Sequence, residues 1–227
     1  MKHSTPIATW SISKMFLMGI IFVRCAAGGK KNRRRQKAGI YMRLFTAILF
    51  PSEAITELGR IQQSIEKRVQ KARMVPSSNL HLTLQFLGEV TPDKLPSIKA
   101  TLREAGEASV PFSLRWEQRL GHFGPLQAMR VLWLGLQEER AGLRQLQSQV
   151  ARKLTAVGFP PEQRRYEPHV TLARDVIWRE PENWQSISVP LIAPFTVTEL
   201  VLMDSRIERG KAPVYEKLDS YPLCGEP

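Results

Sequence analysis

Two short segments of this 227-residue chain alternate apolar and polar residues around a histidine, and together they limit the folds open to it. The first, NLHLTLQFLGEV, occupies residues 79–90. The second, EPHVTLARD, occupies 167–175, so His-apolar-Thr-Leu recurs after 88 residues. An alternation of period two is what a half-buried strand requires, because successive side chains point to opposite faces. On the first strand, His81, Thr83 and Gln85 are expected on one face and Leu82, Leu84 and Phe86 on the other. The second sets His169, Thr171 and Ala173 opposite Val170 and Leu172. With both apolar faces packed on helices, the two polar faces would set two imidazoles and two hydroxyls around one cavity.

The rest of the chain supplies partners for such strands. Residues 41–49 are β-rich, and 51–73 place Ile55, Leu58, Ile61, Ile65 and Val69 at helical spacing behind Pro51 and Ser52. After the strand over 81–88, residues 91–108 predict a second helix with Thr91 as its cap, and 138–158 predict a third that ends at Gly158. Further strands are expected over 111–117, 129–136, 168–175, 195–205 and 213–219, with the Gly/Pro-containing turn GHFGP between the first two and an irregular loop over 177–190. About seven strands and three helices in this interleaving fit an α+β protein, with two similar lobes that each give one histidine strand to a shared cleft.

Charge is unevenly distributed. Of 33 Lys and Arg, nine lie in residues 1–40, which hold no Asp or Glu, leaving 24 basic against 21 acidic side chains in 41–227. The body is therefore only mildly basic, suited to a small anionic ligand or an RNA end rather than to long nucleic acid. Residues 1–40 are expected to be a disordered or non-native leader before a start at Met42. Their apolar run, Met15 to Val23, is nine residues where a membrane-spanning helix needs roughly 20. Cys25 and Cys224 offer neither a disulfide framework nor a metal cluster, which points to a reducing, cytoplasmic setting.

Paired His and Thr suit phosphoester chemistry. Imidazole has an unperturbed pKa of about 6.5, so one copy can take a proton while the other gives one. Each hydroxyl can donate to a phosphate oxygen as charge develops there. Which histidine is acid and which is base is left open by the spacing. Zinc is the competing use of paired histidines, but no Cys, Asp or Glu at ligand spacing completes either copy, so no metal is expected.

These residues resemble the two-histidine phosphoesterases, and within them the bacterial and archaeal RNA 2′,3′-cyclic phosphodiesterases, also called 2′-5′ RNA ligases. The resemblance runs from Met42 to Leu223 through MRLFTAILFP, NLHLTLQFLGEV, RVLWLGL, YEPHVTLARD and LMDSRIERGKAPVYEKL. It implies two lobes, each with an antiparallel sheet and flanking helices, around a central groove within residues 41–227. It also implies opening of a 2′,3′-cyclic phosphate on RNA or a nucleoside to a 2′-phosphate without a metal or other cofactor. The reverse, 2′-5′ ligation, is open to the same site. His81 would be the proton donor to the departing 3′ oxygen, His169 the proton acceptor that activates water, and Thr83 and Thr171 the phosphate-binding pair. RNA ends or small cyclic nucleotides are the expected partners of a monomer.

Other residues carry weaker signals. Arg130 could offset phosphate charge, or be a solvated strand-end arginine. Arg174 falls, by strict alternation, on the face opposite His169, and only a bulge would turn it into the groove. Phe45, Phe123, Tyr166 and Tyr215 could stack on a base, although core packing is the commoner use of such side chains. His122 reads as a loop histidine. Two alternatives share the motif: a non-catalytic module that binds RNA ends, and a cyclic phosphodiesterase for an ADP-ribose-derived or 2′-5′-linked substrate.

Overall fold

The computed structural model describes residues 41–138, 141–206 and 212–226; the leader expected over residues 1–40 lies outside them. The described chain runs β1 (Met42–Leu49), α1 (Ser52–Glu66), β2 (Val69–Met74), β3 (His81–Val90), α2 (Leu95–Glu107), β4 (Phe112–Phe123), β5 (Met129–Glu138), α3 (Gly142–Ala156), β6 (His169–Trp178), β7 (Phe195–Val197), β8 (Glu199–Arg206) and β9 (Val214–Pro222). The strands follow the order β7-β4-β5-β6-β3-β1-β8-β9, with β2 paired to β6. Every pairing among them is antiparallel.

The α+β reading holds, and the two lobes meet at a seam. Strands β3, β1, β8 and β9 form one lobe and β6, β5, β4 and β7 the other, while β3 and β6 share a single bridge, Leu82 with Val170. The lobes are not the two halves of the chain. The first combines its early strands with its late ones, and the second comes from the middle and from β2.

The helices α1, α2 and α3 lie behind the sheet, with apolar stripes facing one core. Leu58, Ile61 and Ile65 of α1, Ile98 and Leu102 of α2, and Leu146, Val150 and Leu154 of α3 are buried with Leu82, Leu84, Val170 and Leu172 of the histidine strands. Each such side chain contributes about 1.5–3 kcal/mol of transfer free energy. A second, smaller cluster of Phe45, Ala47, Val201 and Met203, with Tyr215 against it, occupies the opposite face of the first lobe.

Several boundaries differ from the sequence reading. The helix expected over 51–73 stops at Glu66, where Arg68 N donates to Ile65 O at 2.9 Å, and the chain continues as β2. Val69 is buried either way, so one apolar residue fits both periods. Thr91 makes no side-chain cap; it precedes a short 3-10 turn over Pro92–Lys94 that leads into α2. The segment read as one strand over 195–205 is two, β7 and β8, and the supposed loop over 177–190 begins with the last residues of β6 and contains a 3-10 turn over Pro181–Ser186. Strand β4 also runs on to Phe123, because Gly121, His122 and Phe123 stay paired with Trp133, Leu132 and Val131. His122 is thus a strand residue, with Nδ1 3.0 Å from Gly124 O and its ring edge-on to Trp184.

Candidate active site

The bridge between Leu82 and Val170 sets the geometry. Carried one residue either way, that antiparallel register puts His81 opposite Thr171 and Thr83 opposite His169. With Leu82 and Val170 in the core, all four motif side chains take the other face, and all four are half-buried.

Alternation then fails at the same place in both copies. In β3, Thr83 pairs with Ala47 and Gln85 with Thr46, so Leu84 is an extra residue. In β6, Thr171 pairs with Trp133 and Ala173 with Leu132, so Leu172 is extra. A bulge of this kind turns every later side chain to the opposite face. Gln85, expected beside His81, is therefore buried, with Nε2 donating to Phe159 O at 2.8 Å, and Phe86, expected in the core, is 55% exposed on the groove side. The bulge at Leu172 brings Arg174 round to the face of His169, so the alternation that set this arginine aside gives way at that residue. The guanidinium acts electrostatically on both imidazoles. Phe86 and Leu87, adjacent and both apolar, coincide with a further register shift in β3, where Phe86 pairs with Phe45 and Gly88 with Leu44. In the second copy Leu172 and Ala173, adjacent and both apolar, stand just ahead of Arg174.

Both histidines are held in the same way. Nδ1 of His81 lies 2.7 Å from Asn79 O, and Nδ1 of His169 lies 2.7 Å from Glu167 O. A carbonyl only accepts, so each Nδ1 carries its proton and each Nε2 offers a lone pair when the ring is neutral. The Thr83 hydroxyl donates to His81 Nε2 at 3.0 Å. Asn79 is fixed in turn by its amide, which donates to Pro213 O at 2.6 Å.

The walls differ. Around His81 stand Phe45 at 4.9 Å and Tyr215 at 5.2 Å between ring centroids, with Phe86 5.9 Å beyond Phe45. Around His169 stand Phe123 at 5.2 Å and Trp133 at 5.7 Å. Of the aromatics considered from the sequence, Phe45, Phe123 and Tyr215 border the histidines. Tyr166 packs against the core, and its hydroxyl donates to Thr83 O at 3.0 Å. Arg130 is exposed on β5, its side chain against Gly124.

Burial lowers the His81 pKa to about 4, the Asn79 carbonyl opposing and the charges of Arg174 and His169 adding to the fall. The His169 pKa is lowered too, first by burial and then by Arg174, against the Glu167 carbonyl and carboxylate. An anion in the groove would oppose these shifts, because a nearby negative charge favours the charged imidazole. Arg73, opposite Arg174 in the register, holds Asp175 with Nε 2.7 Å from Oδ2, and Asp175 adopts φ +53°. Among the described residues no three His, Cys, Asp or Glu side chains converge as a metal site, and no helix is long and apolar enough to cross a membrane.

Comparison with known proteins agrees with this arrangement. The family model described as the 2′-5′ RNA ligase superfamily matches residues 50–207. A Geobacillus stearothermophilus protein named RNA 2′,3′-cyclic phosphodiesterase is 32% identical over 188 residues, which make up 81% of this chain and 58% of that protein. An Escherichia coli protein of the same name is 31% identical over 175 residues, 74% of this chain and 90% of its own length. The crystal structure of TT0787 from Thermus thermophilus superposes with a TM-score of 0.66 at 28% identity, covering 82% of this chain and all of that one. The chain belongs to the 2′-5′ RNA ligase superfamily, the two-histidine phosphoesterases that its paired motifs resemble.

Proposed function

We propose that this chain is a metal-independent RNA 2′,3′-cyclic phosphodiesterase that opens cyclic phosphates on RNA ends or nucleosides to 2′-phosphates. The observation that carries the reading is the pair of imidazoles on one groove face, each with Nδ1 tied to a carbonyl, which makes Nε2 the nitrogen that exchanges protons. Relatives named for this activity support it.

In the proposed step, His169 Nε2 takes a proton from water as its oxygen attacks phosphorus. The bond from phosphorus to the 3′ oxygen breaks, and His81 in its charged form protonates that oxygen. The role of each histidine follows the family resemblance. Thr83, Thr171 and Arg174 face the developing charge on the other phosphate oxygens. Free His81 is neutral at pH 7, since its pKa is about 4, so it takes up its proton as the anionic substrate enters. Run in reverse, the same step joins a cyclic end to a 5′-hydroxyl. Residues 41–227 would suffice, as a monomer in the cytoplasm.

The test is turnover of 2′,3′-cyclic nucleotides and of an oligonucleotide with a cyclic end in the presence of EDTA, read by phosphorus NMR. A 2′-phosphate product, absent from His81→Ala and His169→Ala, is expected. Bound RNA ends without turnover would favour the recognition module, and activity lost only on chelation would overturn metal independence.

A further inference from the structure

Beside His169 the second lobe departs from its partner. Between Trp116, paired with Leu136, and Leu120, paired with Leu134, three residues of β4 face the single residue Gly135 of β5. Gly135 is also the cross-strand neighbour of His169. The extra residues fold over the groove face: a Cβ on Gly135 would stand 2.5 Å from the Glu117 carboxylate, and one on Gly121 would stand 2.2 Å from the Trp133 ring. Glycine at both positions leaves room for a carboxylate and an indole there. Glu117, Arg119, Gly121, Trp133 and Gln185 line the resulting concavity. The Glu117 side chain is 19% exposed and its carboxylate lies 3.6 Å from Arg119. The β1–β8 pairing, which takes the corresponding place in the first lobe, keeps an unbroken register. Bulges beside a site commonly re-aim a side chain toward a ligand.

The geometry points to a guanine-selective base site, with Glu117 as the residue that reads the base. This rests on the proposed phosphodiesterase reading. The Glu117 carboxylate lies over Gly135 of β5, one strand spacing, roughly 5 Å, from the His169 backbone, so a nucleoside with its phosphate between the two imidazoles can set its base against the bulge. A carboxylate only accepts hydrogen bonds, through two adjacent oxygens. Guanine presents two adjacent donors, N1–H and the 2-amino group, with O6 beside them to accept from Arg119 or the Gln185 amide. Adenine and cytosine set a ring nitrogen lone pair next to their amine, and uracil flanks its one N–H with two carbonyls, so each would turn an acceptor toward the carboxylate. A bidentate contact of this kind discriminates by about tenfold or more.

The test is kcat/KM of the full chain for 2′,3′-cyclic GMP, AMP, CMP, UMP and IMP, the last lacking the 2-amino group. Cyclic GMP is expected to exceed the other four by about tenfold or more. In Glu117→Gln the ratio of cyclic GMP to cyclic CMP is expected to collapse through KM. A ratio taken within one preparation is unmoved by partial unfolding, and if the variant fails to fold, the wild-type comparison of cyclic GMP with cyclic IMP decides. Rates within about threefold of one another, a preference for adenine, or a ratio retained in Glu117→Gln would overturn the assignment. No turnover of any cyclic nucleotide or of an oligonucleotide with a cyclic end would overturn the proposed function instead. Calorimetric binding of guanosine 2′-phosphate against cytidine 2′-phosphate would then test the base site separately, equal affinities overturning it.

Discussion

The two lobes repeat one backbone device and surround it differently. Each has a histidine with Nδ1 on the carbonyl two residues earlier, a core residue next, a groove-facing threonine, and a bulged leucine that reverses the faces of the residues just after it. The first lobe closes on His81 with buried apolar groups, Phe45, Ala47, Val201 and Met203. The second sets Arg174, Glu117 and the Trp133 ring near His169. The imidazoles are thus duplicated, while Arg174 and Glu117 gather on one side.

The sharpest way to break the equivalence is to remove either imidazole. His81→Ala and His169→Ala should each lower kcat by about 10²–10⁴-fold; retained turnover in one of them would mean that a single lobe does the chemistry. Arg174→Ala should cost about 10²-fold in kcat/KM. Because its charge lowers both imidazoles, the same variant should raise both histidine pKa values in an NMR titration, and a change at His169 alone would confine Arg174 to the second lobe.

Acid sensitivity tests what the lobes share. Unfolded His81 titrates near 6.5 and folded His81 at about 4, so the unfolded chain binds more protons in that window, and the free protein should lose stability as pH falls through it. Sulfate, which keeps its charge over this range, should bind more tightly as pH falls, by up to about tenfold per pH unit for each proton taken up. A flat profile in calorimetry would show that the histidines do not charge on anion binding. The smallest effect is expected from Phe86→Ala, whose side chain is 55% exposed. Its unfolding free energy should change by no more than about 0.5 kcal/mol, and a larger loss in denaturant melts would place Phe86 within the core.

Most of this arrangement was legible because it rests on periodicity. His81, Thr83, His169 and Thr171 lie ahead of the bulges, where period two holds, and their faces are as expected. Gln85, Phe86 and Arg174 lie after them, and strict alternation put all three on the wrong side. A bulge depends on how a partner strand packs, which for β3 means β1 and for β6 means β5, and no local propensity records that. Strand β2 was hidden for a related reason, since Val69 continues the stripe of α1. Glu117 carried no signal, because its position follows from glycines at 121 and 135 on two different strands.

The first lobe also has a consequence for how the protein comes into being. Strand β1 pairs Leu44 with Asp204, and Asn79 is tied to Pro213, so the enclosure of His81 joins the earliest described strand to the last two. Contacts so distant in sequence form late and slowly. A chain emerging from the ribosome can finish the surroundings of His169 while β1 and β3 still wait for β8 and β9. The enclosure of His81 is therefore complete only in a chain that includes Tyr215.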